Sequence, residues 1–350
     1  MHWAKTRPAA TFDLAISNVL GCSIDDLPGA AEALSLAGRN DNGYQPLLGA
    51  IAKRYGVEAS QVTTAQGTSG ANFLVYAALL SPGDDVLVER PGYDPLMEAA
   101  RLLGANVNQF DRIFEDQYAL DPDRVKAAMT PRTKLIVVTT PHNPTGVIAA
   151  PEALREVGRI AAANDAHVVV DEVYLDTSAR PVRPAVQLGD RFIVTSSLTK
   201  SYGLAGLRCG WILSSPEIAE RIRRARDVVD GTGSIVSERL AVLAFEHLDA
   251  LTSRARTLLD RNRAIIEPFL AQRQELEYVR PDGGTVVFPR MPGVHDTRQF
   301  AERLLSERHT AVVPGHFFQA PSHIRVGFSG DTQALEDGLK ELAAALDARA

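Results

Sequence analysis

The sequence predicts an α/β fold: a mostly parallel, doubly wound sheet with a second, smaller α+β domain. Three observations carry that expectation. Strand-like and helix-like segments alternate through the middle of the chain. Several strand-like segments are continuous β-branched runs, "LIVV" and "HVVV" among them, the composition of strands covered on both faces. After Trp211 the alternation stops, and long helical stretches and short mixed segments take over. Strands alternating with helices imply crossover connections, and crossovers build parallel sheets with helices on both sides.

The elements follow in order. "VTTAQG" leads into the helix-like "SGANFLVYAALL". "DDVLVE" reads as a strand and "YDPLMEAARLLG" as the next helix. Then come "ANVNQF", the helix-like "DPDRVKAAM", the β-rich "TKLIVVTT" and the helix-like "PEALREVGRIAAAND". "AHVVVDEVY" and "RFIVTSS" follow as strands. Arg and Leu at helical spacing predict a helix from Asp249 to Gln272, long enough to bridge two domains. The tail alternates short pieces, "GGTVVFPRM", "DTRQFAERLLSE", "TAVVPG" and "HIRVGFS", before a terminal amphipathic helix. The expected division is a large domain over residues 31–255 and a small one from 1–30 plus 256–350.

Composition excludes several classes. With 350 residues, 45% hydrophobic and 23% charged, the chain is long enough for one large core or two moderate ones. A net charge of −6 without a clustered basic face argues against nucleic acid as a partner. Cys22 and Cys209 are isolated, so they make neither a disulfide framework nor a metal site, and they suit a reducing compartment. The opening "MHWAKTRPAATFDLA" holds no apolar signal core, and no apolar run is long enough to cross a bilayer. The expectation is a soluble, cytoplasmic protein without a membrane partner.

Open α/β sheets bind ligands at the carboxyl ends of their strands. The polar residues at those ends are therefore the candidates. They are Thr68 and Ser69 after "VTTAQ", Tyr93 after "VLVE", and Asn143 within "PHNPTG". Asp171 and Tyr174 follow "HVVV", and Ser197 and Lys200 follow "FIVT". Each has an ordinary alternative. Thr68 and Ser69 suit a helix start, Asn143 a turn, the tyrosines packing, and Arg208 and Arg325 surface ion pairs. A lysine directly after a buried strand is harder to dismiss, because an isolated buried ammonium is strongly disfavoured. Their shared placement on one sheet edge points to a common site.

The ordered set resembles the fold-type-I pyridoxal-phosphate-dependent aminotransferases, class I/II, the aspartate aminotransferase family. The resemblance covers nearly the whole chain. It rests on "NPTG" at 143–146, "DEVY" at 171–174, "SLTKSYGLAGLRCGW" at 197–211 and "HIRVGFS" at 323–329. No G-x-G-x-x-G follows the first strand, which separates it from a nicotinamide-binding sheet. The resemblance implies pyridoxal 5′-phosphate as cofactor and Lys200 as its Schiff-base residue and proton carrier. Arg208, Ser197, Thr68 and Ser69 would bind the phosphate. Asp171 would pair with the pyridinium nitrogen, Asn143 and Tyr174 would bond the ring oxygen, and Tyr93 would stack on the ring. Arg325, with Asn143, would take the substrate carboxylate and draw the domains together. No metal is expected.

By the same resemblance the chain is a homodimeric aminotransferase of amino-acid metabolism and biosynthesis. It would move an amino group between an L-amino acid and a 2-oxo acid by a ping-pong route. A lyase, a decarboxylase or a cyclopropane-forming synthase on the same scaffold is the alternative, and a non-enzymatic effector-sensing module a remote one. Three departures from the family pattern stand out. Gly38 occupies the register of a tyrosine that the partner subunit donates to the phosphate, with Tyr44 out of register. Leu96 stands where a second aromatic is usual. The N-terminal segment that in the family often covers the substrate reads "DLAISNVLG", without the usual glycine within it.

Overall fold

The computed structural model describes residues 2–348. Its strands, in chain order, are β1 (Phe12–Asp13), β2 (Val62–Gln66), β3 (Asp85–Arg90), β4 (Asn106–Asp111), β5 (Thr133–Thr139) and β6 (His167–Asp171). After these come β7 (Phe192–Ser197), β8 (Cys209–Leu213), β9 (Val286–Val287), β10 (Thr310–Ala311), β11 (Val313–Pro314) and β12 (Ile324–Gly327). Seven strands form the large sheet in the order β2-β8-β7-β6-β5-β3-β4. All its neighbours pair in parallel except β8, which runs antiparallel to both β2 and β7.

The apolar runs explain the sheet's position. In β5, Ile136 and Val138 enter one core while Leu135 and Val137 enter another on the opposite face. β6 divides the same way, Val168 and Val170 against Val169. Strand residues alternate between faces, so an unbroken β-branched run is what a sheet covered on both sides requires. Each such side chain contributes roughly 1.5–3 kcal/mol on burial. Helices Gly67–Leu79, Asp94–Leu102, Pro122–Ala128, Pro151–Ala163 and Pro216–Val229 flank the strands. The last four carry proline in their first turn, where a missing N–H costs nothing and the fixed φ suits the helix.

The C-terminal part has its own core. The antiparallel sheet β11-β12-β9 and the parallel pair β1-β10 pack with helices Arg298–Arg308 and Thr332–Asp347. Leu259, Ile266, Val287, Ile324, Val326 and Leu342 lie at its centre, joined by Leu14 and Val19 from the N-terminal segment. Helix Leu248–Ala271 spans both regions, as its spacing predicts. Leu248 and Leu251 belong to the larger core, and Ala255, Leu259 and Leu270 to the smaller.

Two features of the sheet place the site. Chain order reverses between β3 and β5, because β4 goes to one side of β3 and β5 to the other. Crevices form at such a switch point. At this end Thr139, Asp171 and Thr195 stand in register on β5, β6 and β7. The antiparallel β8 also matters. It begins at Cys209, opposite Gln66 of β2, and Gly210 pairs with Ser197 of β7. Arg208 is therefore delivered to the same edge as the residues that follow β2 and β7.

Candidate active site

A cavity of about 260 Å³ opens at this edge. Its walls include Thr68, Ser69, Tyr93, Asn143, Asp171, Tyr174, Ser197, Lys200 and Arg208. A second cavity of about 530 Å³ adjoins it, sharing Ser17, Asn18, Tyr93 and Lys200 and adding Arg325. All ten residues singled out from the sequence thus meet at one place, although 257 positions separate Thr68 from Arg325.

One end is a cradle of donors. Gly67 opens helix Gly67–Leu79 at φ 69°, a left-handed conformation that suits glycine. A Cβ there would lie 2.3 Å from an Arg208 guanidinium nitrogen. The helix start presents backbone N–H groups together with the hydroxyl of Thr68, which donates to Ser197 Oγ at 2.8 Å. Ser197 Oγ also accepts the Thr199 N–H at 3.2 Å. Arg208 is exposed, and its Nη2 donates to Gln66 O at 3.3 Å. A helix N-terminus, hydroxyls and a guanidinium together make an anion site.

Asp171 closes β6 at the floor. It is buried, and burial pushes its pKa up against the opposing pull of its hydrogen bonds and of Lys200. Asn72 Nδ2 donates to Oδ2 at 3.0 Å and the Val173 N–H to Oδ1 at 3.1 Å. Thr195 Oγ1 in turn donates to Asn72 Oδ1 at 2.7 Å, fixing that amide. A buried carboxylate held by neutral donors is poised for a cationic partner.

Asn143 sits in a rigid turn. Gly146 N donates to His142 O at 2.6 Å, and His142 bonds Thr145 Oγ1 at 2.7 Å and Pro91 O at 2.9 Å. Gly146 adopts φ 75°, and a Cβ there would come within 2.5 Å of Pro281. This turn packs against the C-terminal region and joins Asn143 to Arg325, whose Nη1 donates to Asn143 Oδ1 at 3.2 Å.

Arg325 lies on β12, 7% exposed, with Nη2 donating to Ala15 O at 2.9 Å and its guanidinium 5.1 Å from the Phe318 ring centre. Its Nε is buried without a hydrogen-bond partner. Burial lowers its pKa, while Tyr174 and Tyr93 oppose that shift. The Tyr93 hydroxyl is itself pushed up to about 12, mainly by burial. A buried arginine that lines a cavity, its plane held by Asn143 and Ala15 O, is suited to a planar carboxylate.

Several wall residues escape strand-end reasoning. Ser17 and Asn18, from the N-terminal segment, accept hydrogen bonds from Lys200 Nζ at 3.0 and 2.5 Å. Asn72, Thr139 and Thr199 also line the wall. Asn72 lies one turn beyond Thr68 on the same helix, Thr139 ends β5, and Thr199 follows β7. The departures also find places. Leu96 is packed in the core beneath helix Asp94–Leu102. Gly38 faces Ile235, at 2.8 Å from its ideal Cβ, and Tyr44 lies under the Arg239 guanidinium at 5.8 Å. Neither lines either cavity. Among the described residues no cluster suits a metal ion, and no helix is long and apolar enough to cross a membrane.

Comparison with known proteins agrees with this geometry. The profile of the family described as aminotransferase class I and II matches residues 11–342. Capreomycidine synthase of Streptomyces vinaceus is 33% identical over 292 residues, covering 83% of this chain and 75% of that protein. Aspartate aminotransferase of Thermotoga maritima is 26% identical over 317 residues, covering 88% and 82%. Among solved structures, a PLP-dependent aminotransferase from Streptococcus suis superposes with a TM-score of 0.93 at 26% identity, covering 99% of this chain and 96% of that one. An aspartate aminotransferase variant from Thermus thermophilus gives 0.90 at 25%, covering 99% of both. The chain belongs to the class I and II aminotransferases, the fold-type-I enzymes that depend on pyridoxal phosphate.

Proposed function

We propose that this chain holds pyridoxal 5′-phosphate at the carboxyl edge of its large sheet and moves an amino group between an L-amino acid and a 2-oxo acid. The carrying observation is that Lys200 Nζ and the buried Asp171 carboxylate line one cavity, with the Arg208 cradle in the same walls and Arg325 beside it. The residues present fit that cofactor. Gly67 leaves no room for a Cβ beside Arg208, so the cradle admits an anion against backbone N–H groups. Asp171 has neutral protein donors and is matched to a protonated ring nitrogen.

In this reading Ser69, Thr68, Ser197 and Arg208 hold the phosphate. Asp171 keeps the ring nitrogen protonated, and Asn72 keeps Asp171 in place. Asn143 and Tyr174 orient the ring through its oxygen, and Tyr93 covers its face. When bound, the cofactor supplies an electron sink for the pair left on the substrate α-carbon. Arg325 binds the α-carboxylate, with Asn143 fixing the guanidinium plane. Lys200 would be the covalent anchor of the cofactor, and its free amine would take and return the proton at the substrate α-carbon. A homodimer is part of the proposal, as is a cytoplasmic location, which two free cysteines suit. A biosynthetic role completes it.

One observation favours a second reading. The capreomycidine synthase relative carries a name other than aminotransferase, and a lyase, decarboxylase or synthase would use the same lysine, aspartate and arginine. The visible spectrum of the holoenzyme with single L-amino acids and no 2-oxo acid separates the two. Conversion of the cofactor band to its amine form, with release of a 2-oxo acid, supports aminotransfer. Release of ammonia or carbon dioxide with the band retained supports the second reading. No band after reconstitution removes the cofactor assignment.

A further inference from the structure

Residues 14–22 form a strap between the two cores, tied on both sides. Toward the C-terminal region, Leu14 O accepts from Gly327 N at 2.6 Å, Ser17 O from Thr285 Oγ1 at 2.9 Å and Asn18 O from Ser329 Oγ at 2.8 Å. The approach is close: a Cβ on Gly327 would lie 2.0 Å from Ile16 O. Toward the large sheet, Val19 N donates to Lys200 O at 3.1 Å and Cys22 N to Gly203 O at 2.9 Å. Helix Leu248–Ala271 adds Arg254, which donates to Leu20 O and Gly21 O at 2.9 Å each. The strap backbone is thus held in place from three elements.

That backbone carries two polar side chains into the site. Ser17 Oγ and Asn18 Oδ1 both accept from Lys200 Nζ, at 3.0 and 2.5 Å. An ammonium donates three hydrogen bonds and accepts none, so two oxygens converging on it make a matched receptor. The other charged or titratable groups lining the two cavities are Asp171 from β6, Tyr93 and Tyr174 from the turns after β3 and β6, Arg208 before β8 and Arg325 on β12, with Arg7, Asp13 and Asp94 in the walls of the second. Of these, Asp171 is matched to the cofactor in the proposed function. The strap oxygens have no task in that reading.

We propose that Ser17 and Asn18 form a rest site for the Lys200 amine, occupied whenever Nζ is not bonded to the cofactor, which makes the strap a positioning element of the proton transfer. The inference rests on Lys200 being the covalent anchor. The neutral amine takes the α-proton and becomes an ammonium. Two of its N–H bonds are then met by Ser17 Oγ and Asn18 Oδ1, and the third proton remains for delivery. Both oxygens favour the ammonium over the amine, so they also govern how readily the apoprotein captures the cofactor.

The test uses the full chain freed of cofactor. The rate of capture of added pyridoxal phosphate is followed across pH by absorbance. Borohydride trapping and mass analysis of the Lys200 peptide identify the bond. Asn18→Ala should move the rate profile about one pH unit toward acid, the change expected on loss of one hydrogen bond to a charged group. Asn18→Asp should move it the other way, because a carboxylate favours the ammonium. Ser17→Ala, which leaves the strap backbone untouched, should shift it by less in the Asn18→Ala direction. In turnover, Asn18→Ala should lower kcat about tenfold with KM changed less than threefold. Profiles of Asn18→Ala and Asn18→Asp that coincide with the wild type, or shift together, overturn the inference. So does an unmoved Ser17→Ala profile. If the wild type captures no pyridoxal phosphate at Lys200, the proposed function falls and this inference with it; capture with unmoved profiles removes only the inference.

Discussion

The two arginines of the site are built on opposite terms. Arg325 is 7% exposed and already engaged by Asn143, Ala15 O and the Phe318 ring, with its buried Nε unpartnered. Arg208 is exposed and donates to a single carbonyl, Gln66 O. A buried guanidinium is costly unless its donors are met, so its orientation is set before any ligand arrives. An exposed one keeps its rotamer freedom and relies on the charge of the ligand to order it. The comparison teaches that one arginine is built to select by shape and the other to respond to charge, whatever ligand each meets. In the proposed site this places substrate discrimination at the seam and cofactor retention at the sheet edge.

The largest expected effect removes the group where the two ends meet. Lys200→Ala should lower turnover by at least ~10⁴-fold while the folded state persists, checked by steady-state rates and circular dichroism. Recovered multiple turnover without added amine breaks the scheme. Next, Arg325→Ala should reduce kcat/KM for the amino acid roughly 10²–10³-fold and change cofactor affinity less than about threefold. Arg208→Ala should do the reverse, weakening cofactor affinity by roughly tenfold, a smaller loss because the side chain is exposed. Equal losses at both ends in either variant would erase the contrast. Conservative replacements sharpen it: Arg325→Lys should resemble Arg325→Ala, since an ammonium lacks the two-pronged plane. Arg208→Lys should keep most cofactor affinity, within about threefold.

The smallest effect concerns a buried carboxyl that lines neither cavity. Glu172, next to Asp171, is pushed up to about 8 from its ordinary 4.5, mainly by burial, and its Oε2 has no partner. The folded protein therefore keeps a proton that the unfolded chain releases. Between those two values the unfolded state binds fewer protons, so stability falls as pH rises, and it is fully present below the lower one. Glu172→Gln should flatten this dependence, narrowing the difference in Tm between pH 5 and pH 8 by on the order of a few °C. An unchanged difference would show that Glu172 does not govern it.

Much of the site was legible before any coordinates. Thr68, Asn143, Asp171, Ser197 and Lys200 follow predicted strands, and strand ends on one edge are where an α/β sheet binds. Arg208 was legible only through its motif, because its position depends on β8 running antiparallel, which no local pattern announces. Ser17 and Asn18 were not legible as individual residues, although the resemblance drew attention to the segment that carries them. Nothing in "DLAISNVLG" says that it will pass Lys200, 182 residues away from Asn18. The sequence by itself determined the layers, because the spacing of apolar residues decides which faces are buried. It also determined the strand-end chemistry, because motif residues lie within a few positions of their strands. Only the tertiary structure decided the seam: Arg325 against Asn143, the strap against Lys200, and the unpaired Nε of Arg325. Those contacts close loops of well over a hundred residues, and local periodicity carries no information about which distant segments will meet.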